Sequence, residues 1–321
     1  MAALKLLWDP TTALSDPSFV CLIALVLGLL LAAPCVIALV GLAGRLSPED
    51  RQELSARYRS WLILASVIIL PIILGRGATI ICIALLSLMC YREFARVTGI
   101  FRHRRISIVI TAGALGLMAA ALSGQHALFF GLCILSVAMI PVVSLTVADQ
   151  PGYLQRTALA VFGWILVVLL SHLGLLTERV DYRSVLLGLI LCIELNDVFA
   201  YIFGRAIGGR KLCPQISPNK TAAGAFGALA ATTALAVLSG SFVFAGDPIG
   251  TPLGLSILGL IISSTGQLGD LMLSAVKRDI GIKDTANLIP GHGGFLDRFD
   301  SLLLTAPIVF YVLQIQHGGI L

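Results

Sequence analysis

Long apolar runs dominate the chain and leave it few folds to choose from. Ten of them lie at 18–43, 61–75, 77–91, 106–123, 126–147, 157–176, 184–204, 221–245, 252–274 and 301–316. A helix crossing the hydrocarbon core of a bilayer needs about 20 largely apolar residues. In lipid, backbone polar groups must be satisfied internally, which restricts spanning structures to helices and closed barrels. Runs of this length predict helices, so the expected fold class is an all-α integral membrane protein with about ten transmembrane helices. Composition agrees, since 58% of the 321 residues are hydrophobic and 12% charged, against about 25% charged in a soluble domain. The first run, of 26 residues, is too long for the apolar part of a cleaved signal peptide and is expected to remain as a span. The second and third runs are short and separated by Gly75-Arg76-Gly77. They form either a tight hairpin or a re-entrant pair.

Charge between the runs tests that count. Alternating ten spans puts 44–60, 92–105, 148–156, 205–220 and 275–300 on one side with 18 Lys and Arg, leaving Lys5, Arg76, Arg179 and Arg183 on the other. The basic loops are therefore expected in the cytoplasm, with both termini on the non-cytoplasmic side. A division follows into an N-terminal transmembrane scaffold, 1–183, and a C-terminal catalytic region, 184–321, carrying cytoplasmic loops 205–220 and 275–300. The seven cysteines form no C-x-x-C pair and read as small core residues without disulfide or metal roles. The basic run around His103 (Arg102, Arg104, Arg105) suits a membrane surface with anionic headgroups, and no nucleic-acid partner is expected.

Ionisable groups inside spans are costly and mark functional sites by default. Three carboxylates fall within apolar runs: Glu194, Asp197 and Asp270. Glu194 and Asp197 share a helix face, with Asn196 beside them. Asp270, Ser274 and Lys277 follow one another at helical spacing, and Arg278 flanks them. That stripe runs into "KRDIGIKDTANLIPGHGGFLDRFD", 277–300, the most polar stretch of the chain. A second polar segment, "GRAIGGRKLCPQISPNKTAAG", ends in Ser217-Pro218-Asn219-Lys220-Thr221. Thr221 or Asn219 there is expected to cap the eighth span, whose N-terminus suits phosphate.

Asp270, Asp284, Asp297 and Asp300 supply hard oxygen, and Lys220, Lys277, Arg278, Lys283 and Arg298 supply cations. A few carboxylates of this kind hold Mg²⁺ beside substrate phosphates, and the cations neutralise what charge remains. His292, between Gly291 and the pair Gly293 and Gly294, is placed to donate to a phosphate or move a proton, and the glycines let backbone approach a ligand. The composite points to phosphoryl or nucleotidyl transfer at a membrane surface, with a lipid-borne phosphate as one substrate.

The run Ser274-x-Val276-Lys277-Arg278, then Lys283-Asp284, then Ile289-Pro290-x-His292-Gly293-Gly294-Phe295-x-Asp297-Arg298-Phe299-Asp300 resembles the signature of phosphatidate cytidylyltransferases, the CDP-diacylglycerol synthases. Asn196-Asp197 and Ser217-Pro218-x-Lys220-Thr221 resemble upstream elements of that family, and the resemblance covers about 194 to 304. It implies CTP and phosphatidate as substrates, CDP-diacylglycerol and pyrophosphate as products, and Mg²⁺ at Asp270 and Asp297, with Asp300 nearby. It implies a further monovalent cation such as K⁺. On their chemistry, Ser274, Lys277, Arg278, Lys283, Asp284 and His292 are the expected catalytic groups, and Asn196, Asp197, Ser217, Lys220, Thr221, Gly293, Gly294 and Arg298 the expected substrate-binding ones. The loop charges imply an active site facing the cytoplasm, a bacterial inner membrane is the expected location, and the resemblance implies a homodimer. One departure stands out: the family usually has a bulky residue and then Glu-Gly after Ser-Pro-x-Lys-Thr, whereas this chain has Ala222-Ala223-Gly224. That leaves open a cytidylyltransferase for another lipid phosphate. Two other readings compete, a cation-coupled transporter using the buried carboxylates and a CTP-using lipid kinase.

Overall fold

The structure is a computed structural model that describes residues 7–42, 48–147, 151–286 and 293–316. Ten α-helices follow one another among these residues: α1 (Pro17–Leu42), α2 (Pro48–Leu74), α3 (Arg76–Val97), α4 (Arg104–Ser123), α5 (His126–Leu145), α6 (Tyr153–Leu176), α7 (Tyr182–Ile207), α8 (Ala222–Val243), α9 (Pro252–Ile280) and α10 (Asp300–Gln316). Nine are long and apolar enough to cross a membrane, and α10, at 17 residues, is the shorter one. The expected all-α membrane architecture is therefore the observed one. Among the described residues the one departure is a two-stranded antiparallel ribbon of β1 (Lys211–Cys213) and β2 (Ser217–Thr221).

The doubtful second and third runs are two full helices. They have 27 and 22 residues, and at about 1.5 Å per residue each reaches across a bilayer core. Gly75 joins them at φ 128°, in backbone that side chains disfavour. A Cβ there would also lie 2.9 Å from Leu7 O and from Asp9 N. The pair is a hairpin, not a re-entrant loop.

Several helices continue beyond their apolar runs. The segment 44–60, expected as a loop, is helical from Pro48 onward, and α9 runs six residues past 274. A helix satisfies its own backbone in lipid and in water alike, so the apolar edge does not end it. In "SPNKT" a strand replaces the expected helix start, and Thr221 alone caps α8 by accepting from Gly224 N at 3.1 Å. The first and last few residues, and with them the placement of both termini, lie outside the described residues.

Packing forms two connected groups. Helices α3 to α6 pack on one another, and the buried Trp164 of α6 lies against Gly113 of α4 while its indole N–H donates to Cys133 O of α5 at 3.1 Å. Helices α7 to α10 pack in succession, and α10 also lies on α6, joining the groups. Gly259 of α9 brings that helix close to α8, since a Cβ there would sit 2.7 Å from Thr233 Cα. Such close approach is how helices associate where lipid removes the hydrophobic drive.

Contacts between connecting segments show which ends lie together. At one end Glu178, after α6, meets Arg76 and His126, and Arg179 meets Asp247. At the opposite end the ribbon, the C-terminus of α9 and the described loop residues 281–286 and 293–299 converge. This is the alternation expected of consecutive spans.

Candidate active site

The C-terminal half of α9 carries Asp270, Ser274, Lys277 and Arg278 along one stripe, and the side chains bear out the helical spacing. Ser274 Oγ donates to Asp270 Oδ1 at 3.1 Å. The other carboxylate oxygen of Asp270 pairs with Lys220 Nζ, delivered by β2. Arg278 Nε donates to Ile216 O at 3.2 Å, in the ribbon turn. The two polar segments, some fifty residues apart in sequence, are thus fastened together at the end of α9. The ribbon does the delivering: pairing Lys211 with Thr221 sets Lys220 beside α9 just before Thr221 starts α8.

Asp297 organises the signature loop. Lys277 Nζ donates to its Oδ1 at 2.8 Å. Its Oδ2 accepts from Thr285 N at 2.8 Å and Gly294 N at 3.0 Å. Burial alone pushes the Asp297 carboxyl up, but the Lys277 bond and the two backbone N–H groups outweigh it and hold the group below the usual aspartate value. Gly293, at φ 77°, sits where a Cβ would come within 2.9 Å of Asp297 Oδ2 and 3.4 Å of Asp284 Oδ1. Glycine is therefore required there on two counts. Gly294 is closed in by Glu93 and Thr285.

Glu93, on α3, is the residue that the apolar-run criterion passed over. It is 3% exposed. Its Oε1 accepts from Phe295 N at 2.9 Å and its Oε2 from Leu296 N at 2.8 Å. The Thr285 hydroxyl lies between Glu93 Oε2 (3.1 Å) and Asp297 Oδ2 (2.9 Å) and donates to one at a time. The third run ends at 91, so Glu93 counted as loop. Its position inside a helix that continues to Val97 is the signal that identifies it as buried.

The remaining expected residues divide by position. Asp300 is buried at the start of α10, where Ser301 N donates to its Oδ1 at 2.7 Å. Its backbone carbonyl packs on Gly269, where a Cβ would come within 2.5 Å. Asp197, Asp270 and Asp300 lie within electrostatic reach of one another and of Lys220 or Lys277, Arg298 reaches Asp197 and Asp300, and Glu194 feels Asp197 and Arg298. Lys283 and Asp284 are exposed on the loop, and Ser217 is half-buried in β2. Asn196 turns inward instead. Thr232 and Ser263 donate to its Oδ1 at 3.1 and 2.6 Å, so it ties α7 to α8 and α9. His292 lies outside the described residues.

Behind the loop an apolar cavity of about 350 Å³ opens between α2, α3 and α7. Phe295 and Phe299 close it toward the polar cluster, and Leu64, Ile68 and Met89 are among its walls. Among the described residues, no three His, Cys, Asp or Glu side chains stand together as a preformed metal cage.

Comparison with known proteins agrees with this geometry. The profile of the cytidylyltransferase family matches residues 55–316. A protein of Escherichia coli (strain K12), named Uncharacterized protein YnbB, is 31% identical over 278 residues, covering 84% of this chain and 90% of its own. A phosphatidate cytidylyltransferase of Staphylococcus haemolyticus (strain JCSC1435) is 32% identical over 260 residues, 78% of this chain and 96% of its own. One from Brucella abortus biovar 1 (strain 9-941) reaches 47% identity over 115 residues, 36% of this chain and 41% of its own. With one profile spanning the chain from α2 to the end of α10, this protein belongs to the cytidylyltransferase family.

Proposed function

We propose that the chain is a membrane-bound phosphatidate cytidylyltransferase that converts CTP and phosphatidate to CDP-diacylglycerol and pyrophosphate. The observation that carries this reading is the paired arrangement Lys220–Asp270 and Lys277–Asp297 at one end of α9. Two carboxylates and two ammonium groups there, with Arg298 and Arg278 beside them, form a set suited to phosphates and not to one bare cation. The apolar cavity behind Phe295 and Phe299 has the character an acyl chain needs, which favours a lipid acceptor.

The donor set fits Mg²⁺ as this ion is usually held, by one or two carboxylates with substrate phosphates and water completing the shell. Asp270 and Asp297 would hold it, each in exchange for its lysine, with Asp300 behind them. Bound there, Mg²⁺ would neutralise charge on the reacting phosphates and on the departing pyrophosphate. A monovalent cation such as K⁺ is part of the same proposal, near the same carboxylates.

The chain's own groups do the rest by position and charge. Lys220 and Lys277, released from their carboxylates, reach phosphate oxygens, and Arg278, Lys283 and Arg298 take up what charge remains. A phosphatidate oxygen attacks the α-phosphorus of CTP in line; the new P–O bond forms as the bond to pyrophosphate breaks. No covalent enzyme intermediate is required. The excess of Lys and Arg on this side supports a site facing the cytoplasm, with the cytoplasmic membrane as its location in this reading.

Purified protein supplied with Mg²⁺, phosphatidate and CTP labelled at the α- or γ-phosphate tests the reading. Label from the α-position in CDP-lipid supports it. Label from the γ-position on lipid makes the protein a kinase, and no labelled lipid at all returns the transporter reading.

A further inference from the structure

A second polar cavity, of about 390 Å³, lies beside the α3–α4 connection and the start of α6. Glu93 of α3 grips the signature loop only a few residues before this connection, so the cavity is at the same end of the bundle as the candidate active site. Thr98, Arg102, His103, Gln155 and Arg156 are its polar side chains, and no carboxylate lines it among the described residues.

Three features point to an anion. Arg156 is 5% exposed, yet its buried Nε has no hydrogen-bond partner. Its Nη2 makes one long contact, 3.4 Å, with Ser144 O at the end of α5. Closing α5 is therefore not the whole of its role, and Arg105 already serves that end by donating to Thr146 O at 2.9 Å. A buried guanidinium with a free donor costs free energy unless something accepts from it.

The helix ends add to this. Gly152 begins α6 and His103 begins α4, and neither helix has a side-chain cap. Both present positive dipole and unpaired first-turn N–H groups on the cavity side. Gly99 (φ 80°) and Gly152 (φ 91°) border the cavity, and a Cβ at either would meet nothing within 4 Å. The space beyond them is open. Burial first, and then the charges of Arg156 and Arg102, push the His103 imidazole below its usual pKa, as expected where cations gather without a counter-charge.

We propose that this cavity is a second anion site, separate from the cytidylyl-transfer site, which binds a phosphate group through Arg102, Arg156, Gln155 and the N-terminus of α6. Its volume falls in the range of small-ligand pockets. The phosphate can come from an anionic lipid headgroup or from free phosphate, because the same donors serve both. Gln155 and Arg102 are exposed and would close over the ligand, and Arg156 would anchor it from below.

The full chain in an uncharged detergent, titrated with short-chain phosphatidylglycerol or with inorganic phosphate, tests this by thermal unfolding. Tm is expected to rise with the lipid. A rise with phosphate as well shows that the free anion suffices, and a rise with the lipid alone assigns the site to headgroups. Asp270→Asn, which alters the candidate active site, keeps the rise. Arg102→Ala and Gln155→Glu change exposed positions and weaken apparent affinity about tenfold or more, as loss of a charge-assisted bond or gain of a like charge requires. Arg156→Gln does the same if it folds. The proposal is overturned if neither ligand raises Tm, if Asp270→Asn abolishes the rise, or if Arg102→Ala and Gln155→Glu both leave it unchanged.

Discussion

Glu93 Oε2 accepts from Leu296 N at 2.8 Å, across 203 positions of the chain. Through this bond, and the one from Phe295 N to Oε1, a helix of the N-terminal group holds the backbone of the signature loop. The N-terminal helices therefore contribute directly to the geometry of the candidate site.

Replacing Glu93 by Ala orphans the buried Leu296 N–H, at a cost of about 1–3 kcal/mol, and frees the half-buried Phe295 N–H as well. Activity is expected to fall at least about tenfold, with faster hydrogen exchange at Phe295 and Leu296 and unchanged exchange in α6. Glu93→Gln keeps one oxygen acceptor and should lie between the two. Exchange at Phe295 and Leu296 that matches wild type in Glu93→Ala would refute the tether.

Asp270→Asn keeps the shape of the side chain but removes the charge that Lys220 and Ser274 attend. Loss of a preorganised electrostatic group at a phosphate-transfer site costs about a hundredfold or more in rate. Labelled CDP-lipid should disappear while the unfolding midpoint stays within a few degrees of wild type. Turnover like that of wild type would remove Asp270 from the mechanism.

Stripping divalent cations with EDTA should stop product formation and leave helix content unchanged. Asp270 and Asp297 are each paired with a lysine of the chain itself, and these pairs keep the carboxylates compensated when the ion is stripped. Added Mg²⁺ should restore turnover. Unfolding on chelation, followed by circular dichroism, would show instead that the metal is structural.

Gly269→Ala tests how tightly α9 and α10 must meet. The added methyl would come within 2.5 Å of Asp300 O, a backbone atom that cannot swing aside. Overpacking of this kind costs about 1–3 kcal/mol. A lower Tm and reduced activity are expected together, because Asp300 moves with the carbonyl. Gly28→Ala, where a Cβ meets nothing within 4 Å, is the neutral control.

Much of this protein was legible without coordinates. The ten helices among the described residues follow from ten apolar runs, because lipid admits few other ways to satisfy a backbone, although the two short runs at 61–75 and 77–91 are full-length helices. The alternation of loop charge grouped 92–105, 205–220 and the described parts of 148–156 and 275–300, which the fold brings to one end. The spacing of Asp270, Ser274 and Lys277 placed them on one stripe, since a helix fixes direction over four to seven residues. Local rules of this kind need no partner segment.

What the tertiary structure decided is which distant groups meet. Nothing near Glu93 in sequence marks it as the acceptor for Phe295 and Leu296, and nothing in "SPNKT" announces a strand that delivers Lys220 to Asp270. Nor does the basic run at 102–105 announce that Arg156, fifty residues on, joins it around a common cavity. A carboxylate or guanidinium acquires its role from whatever donor or acceptor the fold brings within about 3 Å. Residues far apart in sequence carry no record of that distance, so it emerged only when the helices were packed.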